Sequence, residues 1–271
     1  MDVRPFFDTE RRELLQLLAS LDAADWRRQT VCPGWSVHDI VAHITHDHLR
    51  RLSGLRDHHV SAGFETGEDL PAFLTRVNQE FVDTARRWSP VVLVDLLAHL
   101  GPQLDDVWAG LDLNSTAPVD VWWAEPSVLA PSWLDAAREF SELWIHQQQV
   151  RDAVHRPGAD SGELVGAVVD TVIRGLPLTL STYPAAPGTR VKVQVTGQAS
   201  RTWLAHRDQE RWLLQRTDEE TKFDASVQLS ADTLWRLGSR GISPQVAAAR
   251  AVIDGDSQLG HAALRLLAVI R

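Results

Sequence analysis

The sequence predicts an α+β protein in two parts, a helical bundle over residues 1–157 and a small α+β domain over residues 158–271. Three observations predict it. Apolar residues recur every three or four positions through about the first 155 residues, the period of helices with one buried face, and no strand-like alternation interrupts them. After Pro184-Ala185-Ala186-Pro187-Gly188 the period falls to two, with Val191, Val193 and Val195 alternating with Lys192, Gln194 and Thr196. Helical spacing returns beyond Ser230, so strands are followed by helices packed on one face.

In chain order, residues 8–21 form the first helix, with Leu14, Leu15, Leu18 and Leu21 on its apolar face and Asp8 as its expected N-cap. Ser36 and Asp39, three apart after the Pro33-Gly34 turn, begin a second helix through Ile40, Val41 and Ile44 to about Leu52. A polar loop precedes Pro71, which suits the first turn of a third helix carrying Phe73, Leu74, Val77 and Phe81. Ser89-Pro90 restarts a fourth, expected to weaken at Pro102. After an irregular segment at 112–131, Ser132 is expected to cap a long helix to about Val154. Residues 164–180 form an apolar helical stretch between the two parts. Strands are expected at 191–196, 200–206, 211–215 and 225–229, and helices after Ser230, Pro244 and Ser257.

A chain of 271 residues, 44% hydrophobic and 23% charged, is long enough for two domains with real cores. Its net charge of −9 and lack of a basic tract exclude nucleic acid or an anionic membrane surface as the main partner. Lys192 and Lys222 are the only lysines, and this Arg-dominated, Ala- and Val-rich usage is associated with high-GC bacterial genomes. One cysteine rules out an internal disulfide framework. With no signal-like N-terminus and no apolar run of membrane-spanning length, the expected compartment is the cytoplasm. Cys32 is expected as a small buried hydrophobe rather than a reactive thiol.

The chemistry-bearing residues are Glu142 and His146, one turn apart on the long helix, and His43 in the middle of the second helix. Two imidazoles and a carboxylate suit a divalent metal, zinc above all, in an open three-ligand site between facing helices. The same Glu–His spacing also describes an exposed helical ion pair, and with nine other histidines in the chain chance pairings are plentiful.

The stretch Cys32-Pro33-Gly34-Trp35-Ser36-Val37-His38-Asp39-Ile40-Val41-Ala42-His43 resembles the start of the second helix in the mycothiol-dependent maleylpyruvate isomerase-like family of the DinB-like superfamily. Glu142-Leu143-Trp144-Ile145-His146-Gln147-Gln148 is similar to the family's second signature. The segments 225–229, 232–237 and 253–256 resemble its C-terminal domain, which is related to sterol-carrier folds. The resemblance implies a DinB-like four-helix bundle followed by a sterol-carrier-like α+β domain. It also implies that His43, Glu142 and His146 are metal ligands, zinc the expected ion, and mycothiol the cosubstrate.

The implied activity is thiol-dependent isomerisation or thiol transfer on a small molecule, by a monomer or homodimer. Arg240 lies where relatives place a functional Arg, with Arg236 as the alternative, and each also reads as a solvated cation at a helix end. Many relatives carry an acid shortly after the second His. Here Gln147, Gln148 and Gln149 stand there, expected as solvent-facing helix formers or polar contacts. Two other classes remain: a metal-dependent hydrolase, which needs no thiol, and a protein binding an apolar ligand or lipid in its second domain.

Overall fold

The computed structural model describes residues 1–59, 62–119, 121, 123–124, 129–217 and 222–268. Five helices come first: α1 (Arg4–Ala19), α2 (Val37–Arg51), α3 (Leu70–Ala85), α4 (Pro90–Ala109) and α5 (Ser132–Val154). Helix α1 packs on α4 and α5, and α2 packs on the same two, so these four close a ring while α3 lies against α2. Their shared core holds Phe7 stacked on Trp108 at 5.8 Å and edge-on to Phe140 at 5.7 Å.

The caps explain the helix starts and correct two expectations. Helix α1 begins at Arg4, because Pro5 pre-sets the first turn; Asp8 lies inside the helix and pairs with Arg11 and Arg12 instead of capping. Pro131, not Ser132, is the N-cap of α5, and the Ser132 hydroxyl donates to the Thr116 carbonyl at 3.1 Å. Helix α4 runs through Pro102 to Ala109, its last turns held by buried Leu104 and Trp108. Part of the irregular segment at 112–131 lies outside the described residues.

The start of α2 is a complete capping box. The Ser36 hydroxyl accepts from the Asp39 N–H at 3.4 Å, and the Asp39 carboxylate accepts from the Ser36 N–H at 2.9 Å. The same carboxylate takes the Arg86 guanidinium at 2.9 Å, tying α2 to the end of α3. Ser36→Ala is expected to cost about 1 kcal/mol, read as a lower midpoint in urea unfolding with an unchanged slope.

Beyond α5, the apolar stretch at 162–181 divides into α6 (Gly162–Val172), a 3₁₀ turn over Ile173–Gly175 and α7 (Leu176–Ser181). It is long and apolar enough to cross a membrane, yet α6 packs on α5 and its apolar residues are largely buried within the protein. The sheet follows as β1 (Arg190–Thr196), β2 (Arg201–Arg207), β3 (Trp212–Arg216), β4 (Ala225–Ser230) and β5 (Val252–Gly255), in the order β3-β2-β1-β4-β5. Strands β1 and β4 run parallel and the other pairs antiparallel. Strand β5 was not expected as a strand; its four residues are too short to show a period. Helices α8 (Ala231–Gly238), α9 (Pro244–Ala249) and α10 (Ser257–Ala263) complete the chain, capped by Ser230, Ser243 and Asp256.

The sheet region meets the bundle along α5. Trp144 packs edge-on against Trp235 of α8 at 5.4 Å, and Arg236 pairs with Asp152 while lying over the Trp235 ring at 4.3 Å.

Candidate metal centre

Helices α2 and α5 run antiparallel, and their register is set by charge. The Arg51 guanidinium, 2% exposed, donates to both oxygens of buried Asp135 at 2.8 and 3.1 Å and to Glu139 at 2.9 Å. Eight residues back along α2, about 12 Å at the helical rise, stands His43. Seven residues on from Asp135 and three from Glu139 stands Glu142, followed one turn later by His146. The buried ion pairs thus bring His43 level with His146, whose rings meet edge-to-face with centroids 4.7 Å apart.

The residues singled out as metal ligands neighbour one another in pairs, His43 against His146 and His146 against Glu142. Nε2 of His146 lies 3.4 Å from the Glu142 carboxylate, with side chains 13% and 29% exposed, so the pair sits at the edge of the bundle and not on its open surface. His43 lies between this pair and the Trp35 ring at 5.2 Å, and its buried Nδ1 has no hydrogen-bond partner. Among the described residues, no three His, Cys, Asp or Glu side chains stand close enough as placed to hold a metal ion. The donors are adjacent, with Nε2 of His146 turned to Glu142. An orphaned, buried imidazole nitrogen beside an imidazole–carboxylate pair suits a divalent ion by donor chemistry and by unmet hydrogen-bonding capacity.

The electrostatics favour neutral imidazole at His43. Burial, with some help from the His146 charge, pushes its pKa down to about 3. At His146 burial also lowers the pKa, but the hydrogen bond and charge of Glu142, with a further hydrogen bond from Gln149, outweigh it and the net shift is upward.

The glutamines after His146 correct the expectation of a solvated face: Gln147, Gln148 and Gln149 are all buried. Gln147 donates to the Glu10 carbonyl at 2.9 Å and Gln148 to the Gly158 carbonyl at 3.1 Å, while the Gln149 side-chain oxygen meets Nδ1 of His146 at 2.8 Å. Cys32 is half-buried rather than fully buried, its Sγ 3.4 Å from that same Gln149 oxygen. Burial raises the thiol's pKa. The sequence signal for Gln149 was its spacing, three residues from His146 and seven from Glu142, which puts it on the donor face of the helix.

Arg240 is exposed in a left-handed turn after α8, with φ of 59°, and no side-chain contact described here joins it to the donors. Arg236 is committed to Asp152 and Asp232. A groove of about 500 Å³ lined by Trp144, Asp152, Trp235 and Arg236 lies between α5 and α8. Trp144 is two residues from both Glu142 and His146, about 200° around the helix, so this groove opens on the face of α5 away from the donors.

Comparison with known proteins agrees with this architecture. Residues 7–151 match the family described as "Mycothiol maleylpyruvate isomerase N-terminal domain". The fold is similar to the crystal structure of the mycothiol-dependent maleylpyruvate isomerase, with a TM-score of 0.52, 12% identity and 86% of each chain covered. It is equally similar to a histidine-to-alanine mutant of that enzyme, at 0.52, 11% and 86% of each chain. At such identities the likeness establishes the fold. No curated protein sequence matches the chain.

Proposed function

This chain belongs to the mycothiol maleylpyruvate isomerase N-terminal domain family, and from that premise we propose that it is a metal-dependent enzyme using a low-molecular-weight thiol, mycothiol, to isomerise or thiolate a small electrophile. The observation that carries the reading is the juxtaposition of His43, His146 and Glu142 across α2 and α5. On this reading residues 1–157 hold the donors, residues 158–271 form the second domain, and the protein acts in the cytoplasm.

A divalent ion, zinc by donor type, would supply a site where a thiol is favoured as its thiolate at neutral pH. The protein's own residues prepare for it. His43, held neutral at physiological pH, offers a lone pair without first losing a proton. Glu142 contributes the single carboxylate of the set and, more exposed than His146, marks the side from which small molecules approach. In isomerisation the thiol adds to a cis double bond, the new single bond rotates, and loss of the thiol leaves the trans product. In transfer the adduct is the product. Arg240, exposed at the end of α8, is the proposed cation for an anionic substrate.

The apolar cavity on the inner face of the sheet gives no support to a lipid-binding reading. The cavity among Ile173, Val193, Val227, Leu234 and Leu266 measures about 10 Å³, scarcely room for one water.

Metal content decides the matter. Protein purified without a chelating tag is expected to carry stoichiometric zinc, lost in His43→Ala and Glu142→Ala. Thiol-dependent turnover should fall in both by roughly a thousandfold, the loss of several kcal/mol of transition-state stabilisation. Arg240→Ala should keep the metal and lose activity on anionic substrates. A parent that takes up no zinc on reconstitution would overturn the proposal, and turnover of esters or amides without added thiol would replace it with hydrolysis.

A further inference from the structure

A ligating histidine is usually oriented by a hydrogen bond at its outer ring nitrogen. His43 lacks that device at its buried Nδ1, which has no partner among the described residues. The groups that flank its ring are aromatic: His146 at 4.7 Å, and Trp35 at 5.2 Å with the two rings tilted by 49°. Of these two, only Trp35 lies outside the donor set, and it is held from two directions. Its backbone is pinned within the loop at residues 30–35, where the Trp35 carbonyl accepts from the Thr30 N–H at 3.0 Å and the Thr30 hydroxyl at 2.7 Å. Its ring is pinned from α3, through the indole N–H and the Gln79 side-chain oxygen at 3.0 Å.

An indole can only donate, so the Gln79 amide has one orientation, oxygen to Trp35 and nitrogen outward. That nitrogen donates to Asp83 at 2.8 Å. Arg86 donates to the same Asp83 oxygen at 2.8 Å, to Asp39 at 2.9 Å and to the Gly34 carbonyl at 3.3 Å. The chain of bonds thus leaves the loop at Trp35 and returns to it at Gly34. It also returns to Asp39, in the first turn of the helix that carries His43. We infer that Trp35 is the positioning residue for His43, its ring standing in for the missing outer hydrogen bond, and that Gln79 locks it there. The functional weight of this arrangement rests on the metal reading above; the placing of the two rings does not.

The test separates the two. In metal-free protein the Trp35 ring protons should show nuclear Overhauser contacts to the His43 ring, and Trp35→Phe, which removes one indole N–H signal, supplies the assignment. Gln79→Met, similar in length but without the acceptor, should weaken those contacts and speed exchange of the Trp35 indole N–H with solvent. It should also bind zinc about 10-fold more weakly, as when an outer partner of a ligand is lost. Gln79→Glu combined with Asp83→Asn exchanges donor and acceptor between the two positions and keeps every link, so it should restore the ring contacts and the affinity. Absence of the ring contacts in the parent would overturn the inference. So would unchanged indole exchange or zinc affinity in folded Gln79→Met, or a double variant no better than Gln79→Met. If the parent binds no zinc, the metal reading falls, and the ring contacts and indole exchange alone decide the role of Trp35 and Gln79.

Discussion

Arg51→Met should destabilise the protein by about 3–5 kcal/mol, a loss on the order of 10 °C in thermal midpoint. Arg51 is the cation that faces Asp135 and Glu139 together from α2, and its guanidinium also lies 5.5 Å from the centre of the Trp108 ring. Arg138 touches the same two carboxylates from α5 itself, so it can neutralise charge but cannot join the helices. Removing Arg51 leaves buried carboxylates without their interhelical partner, and that uncompensated charge is the main cost. Burial already raises the pKa of both acids against the pull of Arg51. Acidification should therefore narrow the gap between variant and parent, as the stranded carboxylates take up protons. Adding Asp135→Asn and Glu139→Gln to Arg51→Met should recover much of the lost stability. Calorimetric or urea unfolding of the set checks this, and a loss under about 1 kcal/mol in the single variant would show that the cluster does not fix the α2–α5 register.

The second large effect has the opposite sign. Glu10, on α1, is 2% exposed, and burial pushes its pKa up to about 8 despite Arg11 and Arg151 nearby. Its ordinary value is about 4.5, so between these values the folded protein keeps a proton that the unfolded chain releases. Stability is therefore lost as pH rises through this window, and the contribution is harmless only below it. Glu10→Gln keeps an oxygen to accept from the Gln147 amide, now 3.1 Å away, and removes the ionisation. The variant should match the parent near pH 4 and exceed it by about 2–4 kcal/mol at pH 8. Urea midpoints measured across that range would show the divergence; parallel curves would mean that Glu10 ionises as an ordinary surface acid.

Much of the fold is legible where a local signal coincides with a tertiary need. The Ser36–Asp39 spacing begins α2, and the valine alternation at 191–195 marks β1, because capping and pleat periodicity are properties of a few adjacent residues. The donor face of α5 is equally legible, since Glu142 and His146 are one turn apart whatever packs on them. What escaped reading depends on contacts between distant residues. Gln149 looks like a solvated helix former until the 30–35 loop brings Cys32 to it across 117 residues of sequence. Arg51, Asp135 and Glu139 resemble ordinary surface charges until the antiparallel pairing of α2 and α5 buries them together. Asp8 has the right residue type for a cap, but Pro5 starts the helix before it.

Helix α5 buries seventeen of its twenty-three residues, counting faces toward α1, α2 and α6. A helix with almost no solvent side has no partial opening available to it, so its amides should exchange with solvent only when the protein unfolds as a whole. That rigidity restricts how the centre can be reached. The backbone that carries Glu142 and His146 is therefore fixed, and since neither is among the seventeen buried residues, only their side chains are free to adjust. The element at hand is the 30–35 segment, which touches His43 through Trp35 and Gln149 through Cys32 and is held mainly by a few hydrogen bonds. In mechanical terms, the backbone under the Glu142 and His146 side chains is a fixed floor, set by the burial of the rest of the helix.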